Sequence, residues 1–319
     1  VGVAAEGAGG WQALTVTTTG ARMTERRRDV EAARRDGALV DTVLVEEPLT
    51  VQVAAGLGPA TPVWTTLRTP GCDLDLALGW TLAEGLVTGI HDVLDVHHCT
   101  DGGVADPNSV TVRLARAELP ALDGLRRSAA STPACGLCGR DELHAVLRRC
   151  PPAPRNDVAT TLDALDGLAA QVRGHQPLFD ATGGSHAAAT ATADGRLLHV
   201  REDVGRHNAV DAAFGATLRG PTAADVLLLS GRAGFELVAK AVAGRVAVVA
   251  SVGAATALAV DTAAAAGLTL VTFLGRSHGG TVLTRPDRLG LGVGPGARRG
   301  PDATAAGHVH DADHAGATP

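Results

Sequence analysis

Residues 226–273, VLLLSGRAGFELVAKAVAGRVAVVASVGAATALAVDTAAAAGLTLVTF, decide the fold class. Val226 to Leu229, Val246 to Ala250 and Leu268 to Phe273 are short, unbroken apolar runs, as expected of strands buried on both faces. Between them, Phe235 to Ala243 and Ala254 to Ala266 read as helices, and Gly267 stops the second. A β-α-β-α-β alternation implies a mostly parallel sheet with right-handed crossovers and helices over its faces, so the class is α/β. Just upstream, His186 and the small residues after it lead into a hairpin that turns at Asp194-Gly195 and returns over Leu197 to Arg201.

The pattern weakens toward the N-terminus. Val43 to Val53 is β-branched but interrupted by Glu46-Glu47-Pro48, and Ser109 to Leu114 alternates, which predicts a smaller, partly β N-terminal subdomain. Asp73 to Glu84 carries Leu74, Ala77, Leu78 and Leu82 at helical spacing behind the turn Thr69-Pro70-Gly71. Residues 1–36 combine a Gly/Ala/Thr stretch with Arg26-Arg27-Arg28 and Arg34-Arg35 and show no apolar period, so they read as a mobile tail, with Met23 a candidate start. Residues 292–319, rich in Gly, Ala, Asp and His, read as a second tail.

With 319 residues, 45% apolar and 2% aromatic, the chain can bury a sizeable core, which Ala, Val and Leu must build. Acidic residues outnumber basic ones, 34 to 28, so no broad basic surface for nucleic acid is expected. No apolar run approaches the roughly 18 residues of a membrane span. Five Cys and no export signal predict reduced thiols in the cytoplasm.

Open parallel sheets bind ligands beyond the carboxyl ends of their strands. Three such loops follow the three strands: Ser230-Gly231-Arg232-Ala233-Gly234, Ser251-Val252-Gly253 and Gly275-Arg276-Ser277-His278-Gly279-Gly280. Glycine lets a ligand approach the backbone, the first two loops feed helix N-termini, and Arg supplies a permanent planar charge. Together they point to a phosphate-bearing ligand, with backbone N–H groups at the glycines taking phosphates. His186 is a candidate proton donor or ligand contact. The run Glu202-Asp203-Val204-Gly205-Arg206-His207-Asn208-Ala209-Val210-Asp211 is dense in polar groups, which implies a ligand site or a subunit contact.

Cys135-Gly136-Leu137-Cys138-Gly139 lies between Ser131-Thr132-Pro133 and an expected helix from Asp141 to Arg149. A thiol ahead of a helix N-terminus, with Arg126, Arg127 and Arg140 nearby in sequence, favours the nucleophilic thiolate. The rival reading is zinc held by Cys135, Cys138, His144 and Cys150. Cys72 and Cys99 read as ordinary small apolar residues.

The segments TPGCDLDLALGWTLAEG, CGLCG, TGGSHAAA, EDVGRHNAVD, SGRAGFELVAKA and LTLVTFLGRS resemble, in unbroken order over most of 37–289, the FdhD family of formate dehydrogenase accessory sulfur carriers. The resemblance implies a cytoplasmic sulfurtransferase. It would take sulfane sulfur from a cysteine desulfurase and pass it to molybdenum-bis(molybdopterin guanine dinucleotide), which formate dehydrogenase requires in sulfurated form. It also implies a cytidine-deaminase-like three-layer core and a homodimer. Residue by residue, Cys135 matches the persulfide-bearing cysteine and Cys138 its loop partner. Phe273, Leu274, Gly275, Arg276, Ser277 and His278 match the cofactor-holding stretch, to which the strand-end reading adds Ser230 and Arg232. Ala212 and Leu283 depart from the family's usual Lys and Tyr. The division expected is a tail (1–36), an N-terminal subdomain (37–131), the cysteine loop and its helix (132–159), the α/β core (160–291) and a tail (292–319). The alternatives are a non-catalytic, cofactor-binding chaperone of formate dehydrogenase and a zinc protein on a deaminase-like fold. A zinc deaminase needs Glu two residues after its His, whereas His186 is followed by Ala187 and Ala188.

Overall fold

The structure, a computed structural model, describes residues 25–34, 37–101, 103–120, 157–276 and 279–291. Three strands at its centre, β9 (Val226–Leu229), β10 (Val248–Ser251) and β11 (Thr269–Thr272), are buried at every position and pair in parallel. Their crossover helices are α5 (Phe235–Ala243) and α6 (Ala257–Ala265). The Thr256 hydroxyl caps α6 by accepting from the Ala259 N–H at 3.3 Å, so this helix starts three residues later than the spacing predicts.

The sheet has six strands in the order β12-β11-β10-β9-β7-β8, with β7 (His186–Ala191), β8 (Leu197–Asp203) and β12 (Thr281–Thr284) completing it. The expectation of a mostly parallel sheet is corrected: β12 on β11, β7 on β9 and β8 on β7 are all antiparallel. The hairpin β7–β8 inserts beside β9 and reverses direction there, which the local β-α-β pattern does not reveal.

Alternation along the central strands separates two apolar layers. Leu227, Leu229, Val249 and Leu270 face α5, α6 and α4 (Arg206–Arg219), while Val226, Leu228, Val248, Ala250 and Val271 face α2 (Leu162–Arg173). A short helix, α3 (Pro177–Thr182), leads into β7.

The N-terminal part forms a second sheet, β4-β3-β6-β5, from β3 (Glu47–Ala55), β4 (Thr61–Arg68), β5 (Val93–Asp101) and β6 (Val104–Leu114). Its inner face carries Leu49, Val51, Val53, Val110, Val112 and Leu114, all at 0% exposure, and packs on α1 (Asp73–Ala83). The α1 helix is apolar nearly all round because α4 covers its other side. The two helices meet backbone to backbone: a Cβ on Gly79 would lie 1.7 Å from the Asp211 carbonyl oxygen, and one on Gly215 1.8 Å from that of Asp75. Trp80 stacks on Trp64 with ring centroids 5.2 Å apart.

A separate hairpin pairs β1 (Arg27–Arg34) with β2 (Gly37–Leu44). This corrects the reading of 1–36 as tail throughout. The ribbon is exposed and charged, so it lacks the apolar period by which a strand is recognised.

Candidate functional site at the strand-end edge

Because β8 runs with β9, β10 and β11, and β7 runs against them, the carboxyl ends of four strands and the start of β7 share one edge of the sheet. The loops leaving that edge are tied together. The Ser251 hydroxyl donates to the Gly231 carbonyl at 2.5 Å, the Ala233 N–H to Ala254 at 2.9 Å, and the Phe273 and Leu274 N–H groups to Gly253 and Ser251 at 3.3 and 3.1 Å. A Cβ on Gly253 would sit 2.8 Å from the Arg232 nitrogen, so only glycine lets these loops approach so closely.

The expected ligand residues divide by role. Ser230 is a staple, its hydroxyl accepting from the Ala187 N–H at 2.8 Å while its own N–H donates to the Ala187 carbonyl. Arg232 is exposed. Phe273 adopts a left-handed backbone, φ 59°, and its ring lies 4.3 Å beneath the Arg276 guanidinium, which fixes that charge over the edge. The Leu274 side chain is buried in the α2 layer and so offers a ligand only backbone. The Gly275 N–H, expected to be open to a phosphate, instead donates to Asp166 of α2 at 2.9 Å. Ser277, His278, Cys135 and Cys138 lie outside the described residues, as do His144 and Cys150 of the zinc alternative.

The polar run at 202–211 is largely consumed by the chain itself. Glu202 accepts from the Leu178 and Phe179 N–H groups at 3.0 and 2.8 Å, capping α3, and from the Ser185 hydroxyl at 2.7 Å. Asp203 accepts from the Thr69 and Gly205 N–H groups and from the Asn208 amide, at 3.0, 2.8 and 3.0 Å. Burial pushes its carboxyl up to about 6 against these hydrogen bonds. Asp211 is fully buried, and both of its oxygens accept from Lys240 Nζ, at 2.8 and 2.7 Å. His207 Nε2 contacts a Glu236 carboxylate oxygen, a pairing that holds the Glu236 carboxyl below its usual range.

What remains for a ligand is cationic. Among the described residues, the guanidinium groups of Arg206, Arg232 and Arg276 make no hydrogen bond or salt bridge, although the charge of Arg206 acts on the Glu236 carboxyl. His186 opens β7 opposite Asp203 and lies beside Gly231, where an added Cβ would stand 3.6 Å from its Nδ1. Desolvation first, then the charges of Arg206 and His207, push its imidazole toward the neutral form. Sequence reasoning noted the block containing Arg206 without separating it from its structural neighbours; only the tertiary partners of Glu202, Asp203 and Asn208 do so.

The other cysteines are structural. Cys72 precedes α1, and burial raises its thiol pKa, which disfavours the reactive thiolate. Cys99 is more than a small apolar residue: its sulfur accepts from the Ser109 hydroxyl at 3.2 Å and lies 3.1 Å from that of Thr111.

The fold, a mixed α/β sheet with a second β layer, is shared with the crystal structure of a protein assigned as a formate dehydrogenase accessory protein from Desulfotalea psychrophila. The TM-score is 0.62 at 19% identity, over 82% of this chain and 98% of that one. Residues 44–290 match the FdhD/NarQ family, and the chain belongs to it. Two proteins named sulfur carrier protein FdhD show how near its relatives are. That of Mycolicibacterium paratuberculosis is 43% identical over 84% of this chain and all of its own, and that of Streptomyces coelicolor 42% identical over 85% and 97%.

Proposed function

We propose that this chain is a sulfur carrier serving formate dehydrogenase, with molybdenum-bis(molybdopterin guanine dinucleotide) as the substrate it sulfurates. Family membership and the naming of its relatives support the sulfur-carrying half. The cofactor half is carried by one observation: three arginines whose guanidinium groups make no hydrogen bond or salt bridge among the described residues stand along the strand-end edge, where α/β sheets bind their ligands.

In the loading step the Cys135 thiolate attacks the outer sulfur of a persulfide on a cysteine desulfurase. The S–S bond there breaks, the desulfurase cysteine leaves as thiolate, and the sulfane sulfur stays on Cys135 with no net oxidation. Cys138, three residues further along the sequence, is on the family resemblance its partner cysteine. At the edge, Arg232 and Arg276 neutralise phosphate charge, Phe273 holds Arg276 in place, Ser230 fixes the loop to β7, and Leu274 and Gly275 shape the turn. Ser277 and His278 complete the stretch on the family resemblance. We further propose a cytoplasmic homodimer whose core is of the cytidine-deaminase type, supported by a sheet that is parallel at its centre and covered by helices on both faces. No helix among the described residues is long and apolar enough to cross a membrane.

The test is activation of formate dehydrogenase in cells lacking their own carrier. Wild type should restore activity and Cys135→Ala should not. Full restoration by Cys135→Ala refutes the persulfide route and leaves the chaperone reading.

A further inference from the structure

We infer that the outer edge of β8 is a docking site for an extended segment of a partner protein in which acidic residues flank an apolar one. The site is separate from the strand-end cofactor cradle: Leu197 begins β8 and Arg219 ends α4, so this stretch lies toward the opposite end of the strands. Among the described residues, β8 pairs with β7 on one side and has no strand on the other. The ladder fixes which backbone groups face outward. Ala187 spends its N–H and carbonyl on Ser230, toward β9, so Glu202 opposite it, and Val200 two residues earlier, turn theirs away from β7. Arginines guard both outward carbonyls: Arg26 donates to that of Glu202 at 2.8 Å, and Arg201 to that of Val200 at 2.9 Å. Leu198 is skipped in the pairing, a bulge that ends the regular edge on the other side of Val200. Val200 is therefore the rung at which a strand can enter.

A groove flanks this edge on each face of the sheet. The one on the α4 side, about 320 Å³, is lined by Asp75, His199, Arg201 and Arg219, and the other, about 580 Å³, by Gln171, His175, Leu197 and Val200 among others. The first carries net positive charge, because two guanidinium groups share the single Asp75 carboxylate. A residue docked beside Val200 points its side chain into the second groove, against half-buried Leu197 and Val200, and its two neighbours point theirs into the first. Arg201 then selects for acidic neighbours. The incoming N–H takes its place on the Val200 carbonyl, and the displaced guanidinium N–H finds a charge-assisted acceptor only if the segment brings a carboxylate. An antiparallel second copy of β8 would instead place the arginines of both copies on one face, where like charges repel.

The experiment is fluorescence anisotropy of the full chain with labelled synthetic peptides, matched to β8 in length, that carry glutamates, glutamines or lysines on either side of a central valine. The glutamate peptide should bind, the glutamine peptide should bind about tenfold or more weakly, and the lysine peptide should not bind. A glutamate peptide N-methylated at its valine cannot donate to the Val200 carbonyl, and it should lose about tenfold or more with the protein left untouched. Arg219→Gln should weaken the glutamate peptide and leave the glutamine peptide unchanged, and it should stay folded because Arg201 keeps its bonds to Asp75. Equal affinity for the glutamate and glutamine peptides overturns the acidic selection, and full affinity of the N-methylated peptide overturns strand pairing. No binding of the glutamate peptide overturns the site; if Val200→Pro then also converts a dimer to a monomer in sedimentation, the edge belongs to a second copy.

Discussion

Lys240 is the only lysine in the chain, and it sits where Asp211 is fully buried against the Gly79 crossing. A compact ammonium reaches both carboxylate oxygens there, and a longer, planar guanidinium could not take up the same geometry. Removing one partner of such a pair strands a buried charge, so Lys240→Ala should lose about 3–5 kcal/mol of stability in urea unfolding. Lys240→Arg should also be destabilised; stability equal to wild type would show that charge alone matters. At the rim, Arg276→Ala should lower GDP affinity by roughly one to two decades at its site while leaving persulfide loading of Cys135 normal, read by calorimetry and mass spectrometry. Loss of loading as well would tie sulfur entry to the cradle.

At the scale of elements, the α1–α4 contact depends on two glycines. Gly79→Ala would drive its methyl into the Asp211 carbonyl and force the helices apart, so its midpoint in thermal unfolding should fall far below that of the exposed helix substitution Gly167→Ala, where the added Cβ meets nothing within 4 Å. The start of α4 also responds to pH. Asp203 holds its proton up to about 6 when folded, against about 3.9 when unfolded. The folded state therefore binds the proton more tightly, and this contribution is fully present below about pH 4 and lost as pH rises through about 6. It amounts to about 3 kcal/mol at most. Asp203→Asn should be less stable overall, since its amide faces the Thr69 N–H, but should show a smaller stability loss between pH 4 and pH 7; an unchanged slope would remove Asp203 as the cause. These elements differed in legibility. The β9 run and the α5 helix were readable to the residue, because an unbroken buried apolar run and a helix flanked by Gly234 and Gly244 carry their own signal. The β1 strand was not, since an exposed charged ribbon has no period to read, and the structural duties of Glu202 and Asp203 depend on partners such as Leu178 and Thr69 that only folding brings near.

Across the whole molecule one apolar layer runs from the four-stranded sheet through α1 and α4 to the six-stranded sheet, so the two sheets share a core. Polar bonds lock the same junction: Arg201 and Arg219 both reach Asp75, at 2.7 and 3.0 Å, and the Asn208 amide donates to Leu67 at 2.7 Å. This scaffold leaves at the strand-end edge three arginines that make no salt bridge among the described residues, and the sequence already pointed to that edge through its three glycine-containing loops. The antiparallel flanks of the sheet were hidden, because the order in which strands join is a property of the assembled core. The central claim is that the chain carries sulfur on Cys135. Intact-mass spectrometry after incubation with a cysteine desulfurase and cysteine tests it most directly. Wild type should gain the mass of one sulfur atom, mapped to Cys135 and removable by a thiol reductant, and Cys135→Ala should gain none. A wild-type protein that stays unmodified while the desulfurase turns over, or an adduct retained in full by Cys135→Ala, would contradict it.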